Sequence, residues 1–211
     1  MRNQRTILLI IAGLVLAAGV ALTGCEKPAP STPETAELAL AVAIRTEHGP
    51  QGATLAPEYF HGRGGVRFRL VLRSKQEGFC YVFNRGTSGG AALLLPNRAW
   101  QLTDNLIKPG KEICLPPNDR EEDWLSLDEQ AGSEKLSIFF ARKRIGKLEQ
   151  LLNEDSPTAQ RIESVLADMT STSALGSAVK KEVGREETTF TLKEAGEDGV
   201  LRADVELRHD A

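Results

Sequence analysis

The side chains in this 211-residue sequence that could carry chemistry are few: three cysteines, three histidines, two groups of cations and scattered carboxylates. Cys25 follows an apolar run and the small residues Thr23 and Gly24. Small residues before a peptide bond let a peptidase reach the backbone, and a thiol can be alkylated. Cys80 and Cys114 stand in other apolar stretches. His48, His61 and His209 lack the spacing of a metal motif such as HExxH, so they read as loop or tail residues, and no metal or cofactor is expected. Arg67, Arg69 and Arg73 share one side of an alternating segment, and Arg142, Lys143, Arg144 and Lys147 crowd into "RKRIGK". The second group could meet anionic lipid or glycan; the competing reading for both is a solvated face with ordinary ion pairs. "RGTSGG" lacks the Gly-x-Ser-x-Gly elbow and the phosphate-loop and dinucleotide spacings. A hydrolase would have to draw on generic groups: Asp104, Glu121, Glu122 and His61. Trp100 and Trp124 fall in loops, either as binding anchors or as plugs at the end of a small core.

Those groups need a scaffold, and composition says which kind. Hydrophobic residues make up 41% and charged residues 26%, enough for a packed core and one domain with an appendage. The net charge is −3; without Arg2 and Arg5 it is 24 basic against 29 acidic, or −5. That acidity argues against nucleic-acid binding, which needs a basic footprint.

Arg2 and Arg5 precede an uncharged run over residues 7–22, which is 16 residues long. A membrane-spanning helix needs about 20, so the run fits a signal-peptide h-region better. Leu22-Thr23-Gly24-Cys25 resembles the lipobox of bacterial lipoproteins. The resemblance implies a thioether from Cys25 to diacylglycerol, cleavage before Cys25 and a further acyl chain on the freed amine. One chain anchors only marginally and about two hold firmly, so a multiply acylated cysteine suffices. Glu26, where an Asp would favour the inner membrane, implies the outer one. Residues 1–24 are thus expected to be a signal peptide. Residues 25–36 are expected to be a lipidated tether stiffened by Pro28, Pro30 and Pro33. With Cys25 taken, Cys80 and Cys114 are an even pair in an oxidising compartment, which invites a disulfide; the alternative is two free, buried thiols.

Residues 37–46 alternate, with Leu38, Leu40, Val42 and Ile44 on one face, and predict a half-buried strand. A Gly/Pro-bearing loop is expected over 47–65. Strands are expected over 66–73, 79–83, 91–95 (buried on both faces), 111–115 and 136–140, separated by Gly- and Pro-rich turns. The period then becomes helical. Ile145, Leu148, Leu151 and Leu152 share a face, then Ile162, Val165, Leu166 and Met169, with Ser156 as cap and Pro157 at the first helical position. Residues 171–187 are polar and expected loose. Strands over 188–193 and 200–208 close the chain, with Arg202, Asp204, Glu206 and Arg208 on a wet face. The expected fold is mainly β: one antiparallel β-sandwich-like domain over 37–211, with a two-helix insertion over 145–170 before a last hairpin over 188–208.

The stretch "GGVRFRLVLRSKQEGFCYVFNRGTSGGAALLLPN" resembles domain-of-unknown-function family forty-three eighty-four. The matching pieces are residues 79–83 and Leu94-Leu95-Pro96-Asn97. Asn105, Ile107, Gly110 and Leu115-Pro116 follow, then "EKLSIFFARKRI". The resemblance spans about residues 64–144. It implies a small β-rich domain, often on secreted, lipid-anchored or signalling proteins, and carries over no catalytic residue. The expectation is a non-enzymatic, lipid-anchored envelope module with a protein partner and residues 145–169 as docking element. An envelope hydrolase is the alternative.

Overall fold

The alternation at residues 38–46 is realised as strand β1 (Ala39–Thr46), with Leu40, Val42 and Ile44 fully buried. The computed structural model describes residues 38–46, 59–63, 67–86, 90–127, 131–154, 157–171, 178–183, 187–193 and 199–210. The chain divides into two units, Met1–Thr35 and Ala36–Ala211, and every described residue lies in the second. The leader, Cys25, the tether and His48 lie outside the described residues.

After β1 come β2 (Tyr59–Arg63), β3 (Arg67–Ser74), β4 (Gly78–Gly86), β5 (Ala91–Leu95), β6 (Leu106–Ile107), β7 (Glu112–Leu115), β8 (Leu125–Ser126) and β9 (Gly132–Ala141). Helices α1 (Gly146–Leu152) and α2 (Ala159–Ser171) follow, then β10 (Ala178–Val183), β11 (Glu187–Lys193) and β12 (Val200–Asp210). The first sheet runs β10-β11-β1-β3-β7, with β8 also on β3. The second runs β2-β12-β9-β4-β5, with β6 also on β4. All these pairings are antiparallel except β12 with β2, which is parallel.

Side-chain alternation then builds three layers. Leu40, Val42, Ile44, Leu70 and Leu72 of the first sheet meet Val82, Ile138, Phe140, Leu201 and Val205 of the second in one core. The opposite face of β4 and β9 carries Tyr81, Phe83 and Phe139, and Leu148, Leu151, Ile162, Val165, Leu166 and Met169 of the helices cover it. Phe83 and Phe139 pack edge to face with centroids 6.2 Å apart. Each fully buried Leu or Phe side chain contributes about 1.5–3 kcal/mol. The helices are therefore a wall of the domain. Their apolar stripe is spent on the second sheet.

The mainly β, two-sheet architecture with two helices is as expected, and five details differ. The 47–65 loop contains β2, and the 171–187 stretch contains β10. Both are edge strands, each paired on one side only. β11 and β12 belong to opposite sheets, so residues 188–208 form no hairpin; the hairpin after the helices is β10–β11. Ala92 of β5 is exposed, so this strand is not buried along its whole length. The α2 cap is Thr158: its Oγ1 accepts the Arg161 N–H at 3.2 Å and its carbonyl accepts the Ile162 N–H at 3.0 Å. Pro157 precedes the cap, and Ser156 lies outside the described residues.

Candidate functional site

β5 ends at Leu95, and the Leu95–Pro96 peptide is cis. The chain then makes a loop that Asn97 pins. Its Nδ2 donates to the Leu93 carbonyl at 3.2 Å and its Oδ1 accepts the Trp100 N–H at 3.3 Å. Backbone bonds of 2.7 and 3.0 Å join Asn97 to Leu102. Gln101 sits in the left-handed region at φ 59°, and its N–H bonds to the Arg98 carbonyl at 3.0 Å. Arg98 is left exposed at the tip, held by a rigid turn.

Below this loop, Asn105 is 1% exposed, and its carbonyl accepts the Cys80 N–H at 2.9 Å. Beside it, the buried Tyr81 hydroxyl donates to Glu149 Oε1 at 2.5 Å and accepts the Ile145 N–H at 3.2 Å. Arg144 Nη1 donates to both Glu149 oxygens, at 3.2 and 3.1 Å, and its guanidinium lies 4.4 Å from the Phe79 ring centroid. Glu154 pairs with Arg161 at 2.9 Å.

Asn97, Arg98, Asn105, Arg144, Glu149 and Glu154 line a cleft of about 560 Å³ between the Asn97 loop and the end of α1. Its charged groups are Arg98, Arg144, Glu149 and Glu154, with Leu152 and Pro96 among its apolar walls. Burial, then the bond to Glu149, pushes the Tyr81 hydroxyl up to about 12, against the Ile145 N–H and the Asn105 amide, which lower it. The Asn105 amide is thus close enough to act on the phenol. Asn105 Nδ2 nonetheless makes no hydrogen bond.

The four cations of "RKRIGK" do not form one free surface. Arg144 faces the cleft and is committed to Glu149, and Lys147 is bonded to Asp168 of α2. Arg142 and Lys143 are exposed beyond the end of β9. Arg69 departs from the expected wet face. It is 4% exposed, reaches Asp119 at 2.7 Å and lies 5.4 Å from the Trp124 centroid, because the 119–124 segment folds over it. Arg202 is likewise buried. Arg73 pairs with Glu112 at 2.5 Å. Trp100 packs against the main core, so it is structural.

The Cys80–Cys114 disulfide is corrected: both thiols are free. Cys80 is fully buried between the sheets, and burial pushes its thiol up. Cys114 sits in β7 opposite Val71, on the outer side of the first sheet, since its neighbours Ile113 and Leu115 take the core side. Facing sheets pack about 10 Å apart, and a bridge needs Cα atoms within about 7 Å. Alternation on β7 turns Cys114 away from the gap.

The generic acids do not converge. Asp104 accepts the Leu106 N–H at 3.0 Å, and Glu121 and Glu122 are exposed in a short 3-10 helix. None of the three lines the cleft. The His61 side chain lies outside the described residues. The cleft residues Arg98 and Glu149, and Tyr81 bonded to Glu149, carry no motif, and Asn105 enters the sequence only as a marker of the family pattern.

Residues 63–144 match the family model of domain of unknown function DUF4384. The matched segment is similar to that family. It supplies β3 to β9, and with them Tyr81, Arg98, Asn105 and Arg144. Glu149 and Glu154 come from the helices beyond it, so the cleft lies where the segment meets its C-terminal extension. No curated protein and no solved structure matches the chain.

Proposed function

We propose that this chain is a non-enzymatic, lipid-anchored binding module of the bacterial cell envelope. The observation that carries the reading is the chemistry of the cleft. Its carboxylates are each committed to a cation, Glu149 to Arg144 and Glu154 to Arg161. General acid–base work needs a group poised to exchange a proton with substrate. A cleft whose uncommitted groups are hydrogen-bond donors is suited to recognition.

The leader supports the location. Acylated Cys25 would hold the protein on the membrane, with Glu26 favouring the outer one, and the Pro-rich segment from 25 to 36 would set the domain off from it. The partner on this reading is a protein of an envelope assembly. The exposed polar side of α1 and α2, with Arg142 and Lys143 nearby, is surface open to it.

The test is crosslinking and affinity purification from membranes, with Cys25→Ala as control. The wild-type chain is expected in the membrane fraction with an envelope protein attached, and Cys25→Ala in the soluble fraction. Cys25→Ala that stays in the membrane overturns the anchor. Reproducible absence of any copurifying envelope protein overturns the module.

A further inference from the structure

We propose that the cleft between the Asn97 loop and α1 binds a carboxylate-bearing ligand of about dipeptide size, with Asn105 as the deep donor and Arg98 as the cation at the rim. The inference deepens the binding-module reading and rests on it.

Asn105 is the first reason. A buried donor with no partner forfeits about 1–3 kcal/mol, and folded proteins leave few such groups without cause. Asn105 Nδ2 is one of them, on a residue that both lines the cleft and is 1% exposed. The Tyr81 hydroxyl beside it already donates to Glu149 and accepts from Ile145. An acceptor oxygen entering from the cleft would satisfy the amide.

Charge is the second reason, and it is independent of the first. Arg144 is offset by Glu149, and Glu154 by Arg161. Arg98 makes no ion pair among the described residues, which leaves the cleft one uncompensated positive charge. A monoanion balances it. A planar carboxylate matches both the amide and the guanidinium fork, which favours paired bonds to oxygen.

Size is the third. A volume of about 560 Å³ lies within the roughly 300–1,000 Å³ of small-molecule sites. Leu93, Leu152 and Pro157 on the walls suit a short aliphatic side chain beside the carboxylate. A polypeptide C-terminus and an acidic side chain share this chemistry, and the titration below separates them.

The full-length lipidated chain in detergent micelles is titrated calorimetrically with four probes: N-acetyl-alanyl-alanine, its C-terminal amide, N-acetylglutamate α-amide and inorganic phosphate. One or both carboxylates should bind saturably, with the first favoured if the source is a chain terminus and the third if it is a side chain. The neutral amide should bind at least about tenfold more weakly. Arg98→Ala, an exposed position, should weaken the carboxylates about tenfold and leave the amide unchanged. Asn105→Leu should abolish carboxylate binding; if it does not fold, Arg98→Ala decides. Equal binding of acid and amide, preference for phosphate, no binding up to about 10 mM, or an Arg98→Ala variant indistinguishable from wild type overturns the proposal. Membrane capture of a partner that survives Arg98→Ala, together with a failed titration, sinks the ligand and leaves the anchored module standing.

Discussion

Tyr81 and Glu149 are joined by a 2.5 Å hydrogen bond that links the second sheet to the helix lying on it. The phenol also accepts the Ile145 N–H at the start of α1, so one fully buried hydroxyl holds both a backbone donor and a side-chain acceptor. Tyr81→Phe should cost about 1–3 kcal/mol by leaving both without it. That lowers the midpoint of a thermal melt by about 2–4 °C per kcal/mol. The hydroxyl pKa, pushed up to about 12, adds a pH signature. The unfolded phenol loses its proton near pH 10, while the folded one keeps it. The unfolded state therefore binds fewer protons in this window. Stability from this group is complete below about pH 10 and falls between about 10 and 12, by up to about 1.4 kcal/mol per pH unit. Denaturant titrations across that range should show the fall in wild type and a flatter profile in Tyr81→Phe. Equal slopes would refute the assignment.

Leu151 distinguishes a helix that is part of the domain from one that serves only to dock. It is 1% exposed and packs with Leu148 and Met169 over the second sheet. Leu151→Ala should cost about 2–5 kcal/mol by urea denaturation. Unchanged stability would mean that the helices are dispensable to the domain.

The two described cysteines should behave differently toward a thiol reagent. Cys114 is half-buried and should react in the native protein, while Cys80, fully buried with its thiol pushed up, should react only on unfolding. Electrophoretic mobility should be the same with and without reductant. A reductant-dependent shift confined to the monomer would show a bridge after all.

Gly78 begins β4 under the ring of Phe140. A Cβ there would lie 2.7 Å from two ring carbons and 2.9 Å from the Ala141 carbonyl oxygen. Gly78→Ala should therefore destabilise by about 1–3 kcal/mol, the usual range for overpacking. A melt at the wild-type midpoint would show that the ring can move aside at no cost.

The strands that were legible in the sequence are those that bury one whole face. Leu38, Leu40, Val42 and Ile44, and later Leu201, Ala203, Val205 and Leu207, alternate because one side meets the core. The helical stripe from Leu148 to Met169 was legible for the same reason. β2 and β10 were not, because edge strands are held largely by backbone bonds to a neighbour, and those leave little trace in side-chain type. The buried Arg69 was equally illegible: alternation sets its side of the strand, but Trp124 and Asp119, about fifty residues on, turn that side into an interior.

By itself, the sequence determined the two-sheet β architecture, the pair of helices and the DUF4384 pattern. These are properties of local periodicity and short motifs, which a chain carries wherever it folds. Only the tertiary structure decided that Cys80 and Cys114 face different environments and that β11 and β12 part into opposite sheets. Only it brought Arg98, Asn105 and Glu149 around one cleft, with Tyr81 holding Glu149. Those outcomes depend on which strands pair and which loop is pinned against which helix, and contacts between residues distant in sequence settle that.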